Sequence, residues 1–509
     1  MISKDCTPFE SISGNEEKAL KLLCEYFEKT AEERRAMAEG GNDDDDDDKI
    51  VSLQTMLFPY EGGKPTVQTR WWAGRYIGLA NIAVPYGKEN EKHHHIEISI
   101  KPRFGERFLL AILEDLYNIK VGSHNAQETA SSEWFSTLLN ILRRRMWVDK
   151  CAKANRYGLP RKNIKREHQG VTLKGSLDIR RTIMPWLTQK EICTSSYEKV
   201  FDDTICKIVY EAHRILSQDV IGQKKGQKNR GQKNKDAQKT IGIGFSMPPL
   251  VQDTINTLNT QYKGTRFDIT ENDYRRIRYN NIYMSWKPLV DFSWDVIRNK
   301  KLGYRSAETH GECVFVDMAE IWEAFLRKKL GEGFADDGWR VLSVEECKYK
   351  IYQGKFFERL IIPDIILTRT NGKGESEYMV FDAKYKRMRI NKSKGYDVDR
   401  TDLFQIHTYI QFVEHHLGHV VIGGLLYPLT RKGQDEKGNE VEMTIDTDKF
   451  HSTHLYGKES GIYSNTPFII DGVFCSESDD AEGNDKDAMD ANVSAMIDRI
   501  RRYIEQPSV

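Results

Sequence analysis

Asp364, Asp382 and Lys384 are the residues whose types and spacing promise chemistry, in the pieces Pro363-Asp364 and Asp382-Ala383-Lys384. Arg359 to Leu367 (RLIIPDIIL) and Tyr378 to Tyr385 (YMVFDAKY) are apolar runs with β-branched residues. Thr368 to Gly374 joins them, and its Asn371-Gly372 pair signals a hairpin turn. Paired as neighbouring strands, the two runs set Asp364 beside Asp382. Strand alternation then puts Asp382 and Lys384 on one face and Ala383 on the other. Two carboxylates and an ammonium on one face suit divalent-cation-assisted phosphodiester hydrolysis. That reaction must neutralise charge on phosphate oxygens, activate a water and release an alkoxide.

Hard oxygen ligands hold Mg²⁺, with Mn²⁺ as a substitute. Asp364, Asp382 and the Ala383 backbone carbonyl are the expected metal ligands. Lys384 would orient the attacking water or offset charge in the transition state. A third carboxylate is expected from the preceding helix. In Met318 to Phe325 (MAEIWEAF) the apolar face is Met318, Ile321, Trp322 and Phe325. Glu323 stands one step from that face and can point into the site, with Glu320 as second candidate. Downstream, Asp402 to Tyr409 (DLFQIHTY) reads as a helix. Gln405 and Tyr409 share a face there, placed to hold the lysine and a DNA phosphate. A PD dipeptide or a DxK tripeptide alone arises by chance, and an Asp-Lys pair on a strand edge is energetically minor. The order helix-Glu, strand-Asp, turn, strand-Asp-x-Lys, helix-Gln-x-x-x-Tyr is what gives the set specificity.

The elements around this set span a chain of 509 residues, too long for one ordinary core. Its 76 basic and 76 acidic residues cancel, so any nucleic-acid surface must be local. The 8 cysteines form no CxxC pair, which argues against a zinc ribbon and fits reduced thiols. With no signal-peptide pattern and no apolar run near ~18 residues, a cytoplasmic protein without membrane association is expected.

Residues 1–50 read as a helix (15–38) and an acidic loop containing Asp43 to Asp48. Residues 51–130 read as a β-rich domain closed by a helix at Glu106 to Tyr117. There His93-His94-His95 fits the polar start of a strand better than a metal tract, since adjacent strand residues cannot face one ion. Residues 131–305 read as mainly helical, with helices at Ser132–Trp147 and Phe201–Leu216 and a strand-like piece at Gly170–Ile179. The basic low-complexity stretch 222–239 reads as a linker, since it lacks aromatics for base stacking. Residues 306–475 carry the carboxylate set: a helix at Cys313–Leu330, the hairpin, a helix at Thr401–Leu417 and a buried-type strand at His419–Tyr427. An acidic, disordered linker (Ser476–Asp490) and a helix (Asn492–Glu505) end the chain in 476–509.

The chain resembles the McrC family, nuclease subunits of McrBC-type (5-methylcytosine-specific) restriction systems within the PD-(D/E)XK superfamily. Gly74-Arg75-Tyr76-Ile77-Gly78 is similar to the family's GxYxG stretch. Ile98 to Pro102 is similar to its I-x-I-x-PK stretch, with Lys101 and Pro102 in reversed order. Val171 to Asp178 (VTLKGSLD) resembles the LRGRID element, and Tyr197 to Asp203 loosely resembles the downstream YDE-x-x-x-D element. Met318 to Phe325, Ile362 to Leu367, Phe381 to Lys386, Asp402 to Tyr409 and Leu425 to Pro428 follow in family order, with Trp322 where phenylalanine is usual.

The resemblance implies an α+β multidomain fold: an N-terminal β-rich domain, a central helical region and a C-terminal α/β restriction-endonuclease-like domain. It implies a Mg²⁺-dependent endonuclease acting on double-stranded DNA, with modified and unmodified DNA both left open as substrate. It also implies an McrB-like AAA+ GTPase hexamer as partner, with the β-rich domain docking on that ring and stimulating its GTPase. GTP would be used by the partner, since no G-x-x-x-x-G-K-[ST] occurs in this chain. Two alternatives stay open: a stand-alone repair or recombination nuclease of the same superfamily, and a non-catalytic DNA-binding adaptor of the same fold.

Overall fold

The computed structural model describes residues 1–10, 12–37, 50–58, 66–86, 92–117, 120–121, 132–226, 241–242, 247–303, 314–344, 346–353, 358–386, 389–391, 395–430, 432–434, 440–442, 451–452, 466–475 and 486–505. The run Asp43–Asp48, most of the basic stretch 222–239 and the acidic 476–485 lie outside the described residues. The chain forms two compact units, one of Met1–Leu139, Ala237–Ile243 and Arg305–Val509, the other of Asn140–Asp236 and Gly244–Tyr304. The β-rich N-terminus and the carboxylate-bearing segment, separate domains in the sequence reading, therefore share a unit.

The first unit begins with β1 (Ile2–Lys4), α1 (Gly14–Met37), β2 (Val51–Phe58), β3 (Thr66–Ala73), β4 (Tyr76–Tyr86), β5 (Lys92–Lys101) and α2 (Gly105–Tyr117). The strands β2 and β3 pair with each other, while β1, β5, β4 and the later Val314–Asp317 form a four-stranded sheet in that order. His93, His94 and His95 lie within β5, opposite Pro85, Val84 and Ala83, as a strand start rather than a separate tract.

The second unit holds most of α3 (Ser132–Ala154), then β6 (Arg161–Gly170), β7 (Ser176–Leu177), α4 (Ile179–Gln189), β8 (Ile192–Phe201), α5 (Asp203–Gly226), α6 (Pro249–Tyr262) and α7 (Lys287–Gly303). Its core packs α5 on α7, and the Trp147 indole N–H donates to Ser293 Oγ at 3.0 Å. Between these helices the chain also folds into strands. A three-stranded sheet of order β6-β8-β7 occupies 161–201, and the strand-like piece at 170–179 supplies only β7. Residues 161–167 are exposed on both faces, so no apolar alternation marks the strand.

The first unit resumes with β9 (Val314–Asp317) and α8 (Met318–Gly333). The helix expected from Cys313 thus starts later, because the Asp317 carboxylate accepts the Ala319 N–H at 2.8 Å and caps it. There follow β10 (Arg340–Val341), β11 (Ile365–Thr370), β12 (Ser376–Ala383), α9 (Arg400–His416), β13 (His419–Thr430), β14 (His451–Ser452), β15 (Phe468–Cys475) and α10 (Lys486–Glu505). They build a six-stranded sheet of order β10-β11-β12-β13-β15-β14, parallel at β12/β13 and β13/β15. The terminal helix starts at Lys486, so Lys486–Asp490, read as disordered, are helical.

Ile366, Val380, Val420 and Leu425 of the sheet share a core with Ile406, Ile410 and Val413 of α9. That contact is tight at Gly423, where a Cβ would strike Ile410. Replacing Gly423 with Ala should therefore cost about 1–3 kcal/mol in a denaturant titration by overpacking.

Candidate metal-binding carboxylate site

The hairpin sets the geometry. In the β11/β12 register Ile365 faces Phe381, so the next pair outward is Asp364 and Asp382. The loop between the strands is five residues long: Asn371 Oδ1 accepts the N–H groups of Lys373 and Glu375 at 2.9 Å each. The positive φ falls on Gly374 (+83°), not on Gly372 of the Asn-Gly pair. Pro363 cannot donate to a ladder, and the apolar run 359–367 breaks around it into Glu358–Ile361 and β11. Asp364 thus sits at a strand end, where its Oδ2 accepts the Ala383 N–H at 2.9 Å.

Asp382 is fully buried (0% exposed) at the end of β12. Lys384 Nζ lies 2.8 Å from Asp382 Oδ2 and donates to Gln405 Oε1 at 2.9 Å. Gln405 Nε2 in turn donates to the Tyr409 hydroxyl at 2.7 Å. The structure thus joins Asp364, Asp382, Lys384, Gln405 and Tyr409 in one cluster. Gln405 holds the lysine as expected, and Tyr409 holds Gln405.

Several participants escaped the sequence reading. Asp402, three residues before Gln405, is buried and accepts from the Tyr427 hydroxyl at 3.0 Å. It also meets Lys386 at 2.9 Å and Lys384 at 3.7 Å. Its i, i+3 spacing to Gln405 was the available signal. Arg327 of α8 donates to the backbone carbonyls of Leu342 (2.6 Å) and Asp364, fixing the strand end that carries the first carboxylate. Tyr385, next to Lys384, is buried against Trp322 (6.4 Å between centroids) and under the Arg103 guanidinium (4.8 Å). The Arg103 guanidinium also lies over Phe104, and the Arg103 backbone N–H donates to the Asp5 carboxylate. These partners come from the four-stranded sheet and its flanks, remote in sequence from the hairpin.

Burial and the neighbouring Asp382 charge push the Asp364 carboxyl well above the usual range, with Glu323 and the opposing pull of Lys384 as smaller influences. Burial works against the Lys384 ammonium, but Asp382, Asp402 and Asp364 outweigh it and raise its pKa. Burial pushes the Tyr409 phenol up to about 12. Neither Asp382 oxygen receives a hydrogen bond of normal geometry. A buried carboxylate that accepts no such hydrogen bond, its Oδ2 in an ion pair with Lys384 at 2.8 Å, suits a hard divalent cation beside a second carboxylate, so the residues fit Mg²⁺. Glu323 is less committed. It pairs with Arg327 at 3.8 Å, and among the described residues no group of three or more Asp, Glu, His or Cys has metal-holding geometry. Glu320 is exposed.

Because Asp364 is raised, folding favours its neutral form, and stability is lost as pH rises through its folded-state pKa. Asp364→Asn mimics the neutral form. In metal-free thermal melts, the Tm advantage of the variant over the parent should be small in acid and grow by a few degrees toward neutral pH. A gap that stays constant with pH would contradict the raised carboxyl.

The geometry can be set beside known proteins. No curated protein matches the chain. Two solved structures are similar to it at 13% identity: a half-complex from a tetradecameric assembly of Thermococcus gammatolerans McrB AAA+ hexamers with bound McrC, and the Thermococcus gammatolerans McrBC complex. The first covers 98% of this chain and 99% of that one with a TM-score of 0.38, the second 66% and 87% with 0.29. A family model described as McrBC 5-methylcytosine restriction system component matches residues 74–428, a span holding Asp364, Asp382, Lys384, Gln405 and Tyr409. With more than half of its length matched, the chain belongs to the McrBC 5-methylcytosine restriction system component family.

Proposed function

We propose that this chain is the McrC-type, DNA-cutting subunit of an McrBC-like restriction system, a Mg²⁺-dependent endodeoxyribonuclease with a PD-(D/E)XK-type site. The observation that carries the reading is the side-by-side pair Asp364/Asp382 with Lys384 held 2.8 Å from Asp382. Asp364, Asp382 and the Ala383 carbonyl would hold the metal, which supplies Lewis-acid stabilisation of phosphate charge and a more acidic water.

The chain's own residues have separable tasks. Lys384, kept cationic by three carboxylates, donates hydrogen bonds and balances phosphate charge rather than accepting a proton. Gln405 points its carbonyl oxygen at Lys384 and its amide at Tyr409, which fixes the ammonium in one direction. Asp402 meets both Lys384 and Lys386 and keeps a second ammonium beside the site, suited to a DNA phosphate. Tyr409, whose phenol burial raises still further above neutral pH, retains a hydroxyl proton to donate.

The motor is assigned to another chain: an McrB-like AAA+ GTPase hexamer, in keeping with family membership and the absent phosphate-binding loop. Incubation of the purified protein with Mg²⁺ and double-stranded DNA should give almost no cutting alone and robust, GTP-dependent cutting with that partner. Strong cleavage without the GTPase would favour a stand-alone nuclease. Asp382→Ala should lower cleavage by at least about a thousandfold, the scale of losing a principal stabiliser of transition-state charge, and leave partner binding intact. Cleavage that survives Asp382→Ala would sink the site assignment.

A further inference from the structure

One face of the exposed β6/β8 ribbon combines cations and aromatics in a way the carboxylate site does not use. Opposed residues of an antiparallel pair share a face, and the register pairs Arg161 with Phe201, Asn163 with Lys199 and Lys165 with Tyr197. That face therefore carries Arg161, Lys165 and Lys199 among Phe201, Asn163 and Tyr197. Tyr197 is 74% exposed. Lys165 and Lys199 make no ion pair among the described residues, and Arg161 stacks its guanidinium 5.1 Å over Phe201. The acids lie elsewhere or are matched: Glu198 is on the opposite face with Arg166, and Glu167, farther along, meets Arg181. From Arg161 to Phe201 the chain has nine Lys and Arg against four Asp and Glu, a local positive excess in a protein of zero formal net charge. Beside the ribbon's end lies an open cavity of about 560 Å³ lined by Arg161, Lys162, Lys199 and Phe201. Asp203 also lines it, but that carboxylate is held by Lys207 and by the Tyr262 hydroxyl at 2.7 Å.

Residues 161–167 of β6 and 197–199 of β8 are exposed on both faces and gain little from burial, so their side chains are free to serve a ligand. Three cations, two of them without an ion-pair partner, complement a polyanion with regularly spaced charge. The aromatic rings between them offer stacking surface, which phosphate alone does not require. We propose that the Arg161/Lys165/Lys199 face of the ribbon binds a DNA strand through its phosphodiester backbone, with Tyr197 as a stacking side chain. The choice of DNA rests on the nuclease reading, whereas the polyanion chemistry rests on the ribbon itself. The strand can belong to a duplex, whose major groove admits such a ribbon, or be single.

The test is equilibrium binding of the full chain to a fluorescent duplex and to a single strand in EDTA, where cleavage cannot interfere, across a salt series. Arg161→Gln/Lys165→Gln/Lys199→Gln should weaken binding at least about tenfold at 0.1 M salt. It should also flatten the log-log salt slope by about 0.9 per lost contact on duplex or about 0.7 on single strand. Loss on one form alone identifies that form as the ligand. Tyr197→Ala should weaken single-strand binding about fivefold or more if that form is bound. Lys18→Gln/Lys153→Gln/Lys263→Gln removes equal charge from exposed lysines elsewhere and should leave both affinities within twofold. Unchanged affinity and slope in the ribbon variant, or equal loss in the charge-matched control, would overturn the proposal. The assay in EDTA reads binding without cleavage, so failure of the catalytic assignment and failure of the ribbon assignment read out separately.

Discussion

Two carboxylates are forced together at a buried strand end, and much of the surrounding structure serves to make that tolerable. Asp382 is fully buried, and Asp364 is adjacent through the hairpin register. Like charges so placed repel and lose hydration, which raises the Asp364 pKa. A protein selected for stability alone would place apolar residues there. Keeping the pair makes sense if a divalent cation completes it, and Lys384 supplies only part of the compensating charge.

Support for the pair comes from three directions. Arg327 holds the Asp364 backbone from α8. Gln405 and Asp402 hold Lys384 and Lys386 from α9, whose distance from the sheet is set at Gly423. Tyr385, the residue after Lys384, is anchored among Trp322, Arg103 and the N-terminal Asp5–Cys6 turn, where Cys6 Sγ approaches the Tyr385 carbonyl at 3.9 Å. The lysine is thus clamped on one side by its own sheet and helix and on the other by the four-stranded sheet.

The hairpin, α9 and the Lys384–Gln405–Tyr409 relay were legible in the sequence because local rules govern them: strand alternation, turn chemistry and i, i+4 helical spacing. The Tyr385–Arg103–Asp5 cluster was not, since its members are hundreds of residues apart and no periodicity links them. Val314–Asp317 was mistaken for helix because its partner, β4, lies far upstream in the chain. The ribbon β6/β8 was missed for another reason. Strand recognition relies on one buried face, and residues 161–167, wet on both sides, write no alternation into the sequence. Glu323 shows the limit of helical-face reasoning: spacing alone placed it one step from the apolar face, and Arg327 on the next turn pairs with it at 3.8 Å.

The account depends most on the claim that Asp364 and Asp382 together bind a divalent cation. Mn²⁺ titration followed by electron paramagnetic resonance, on the parent, Asp364→Asn, Asp382→Asn and Lys384→Met, reads this without recourse to activity. The account predicts saturable Mn²⁺ binding displaced by Mg²⁺ in the parent, binding lost in both aspartate variants, and binding retained in Lys384→Met. Equal Mn²⁺ binding by the parent and both aspartate variants would contradict it.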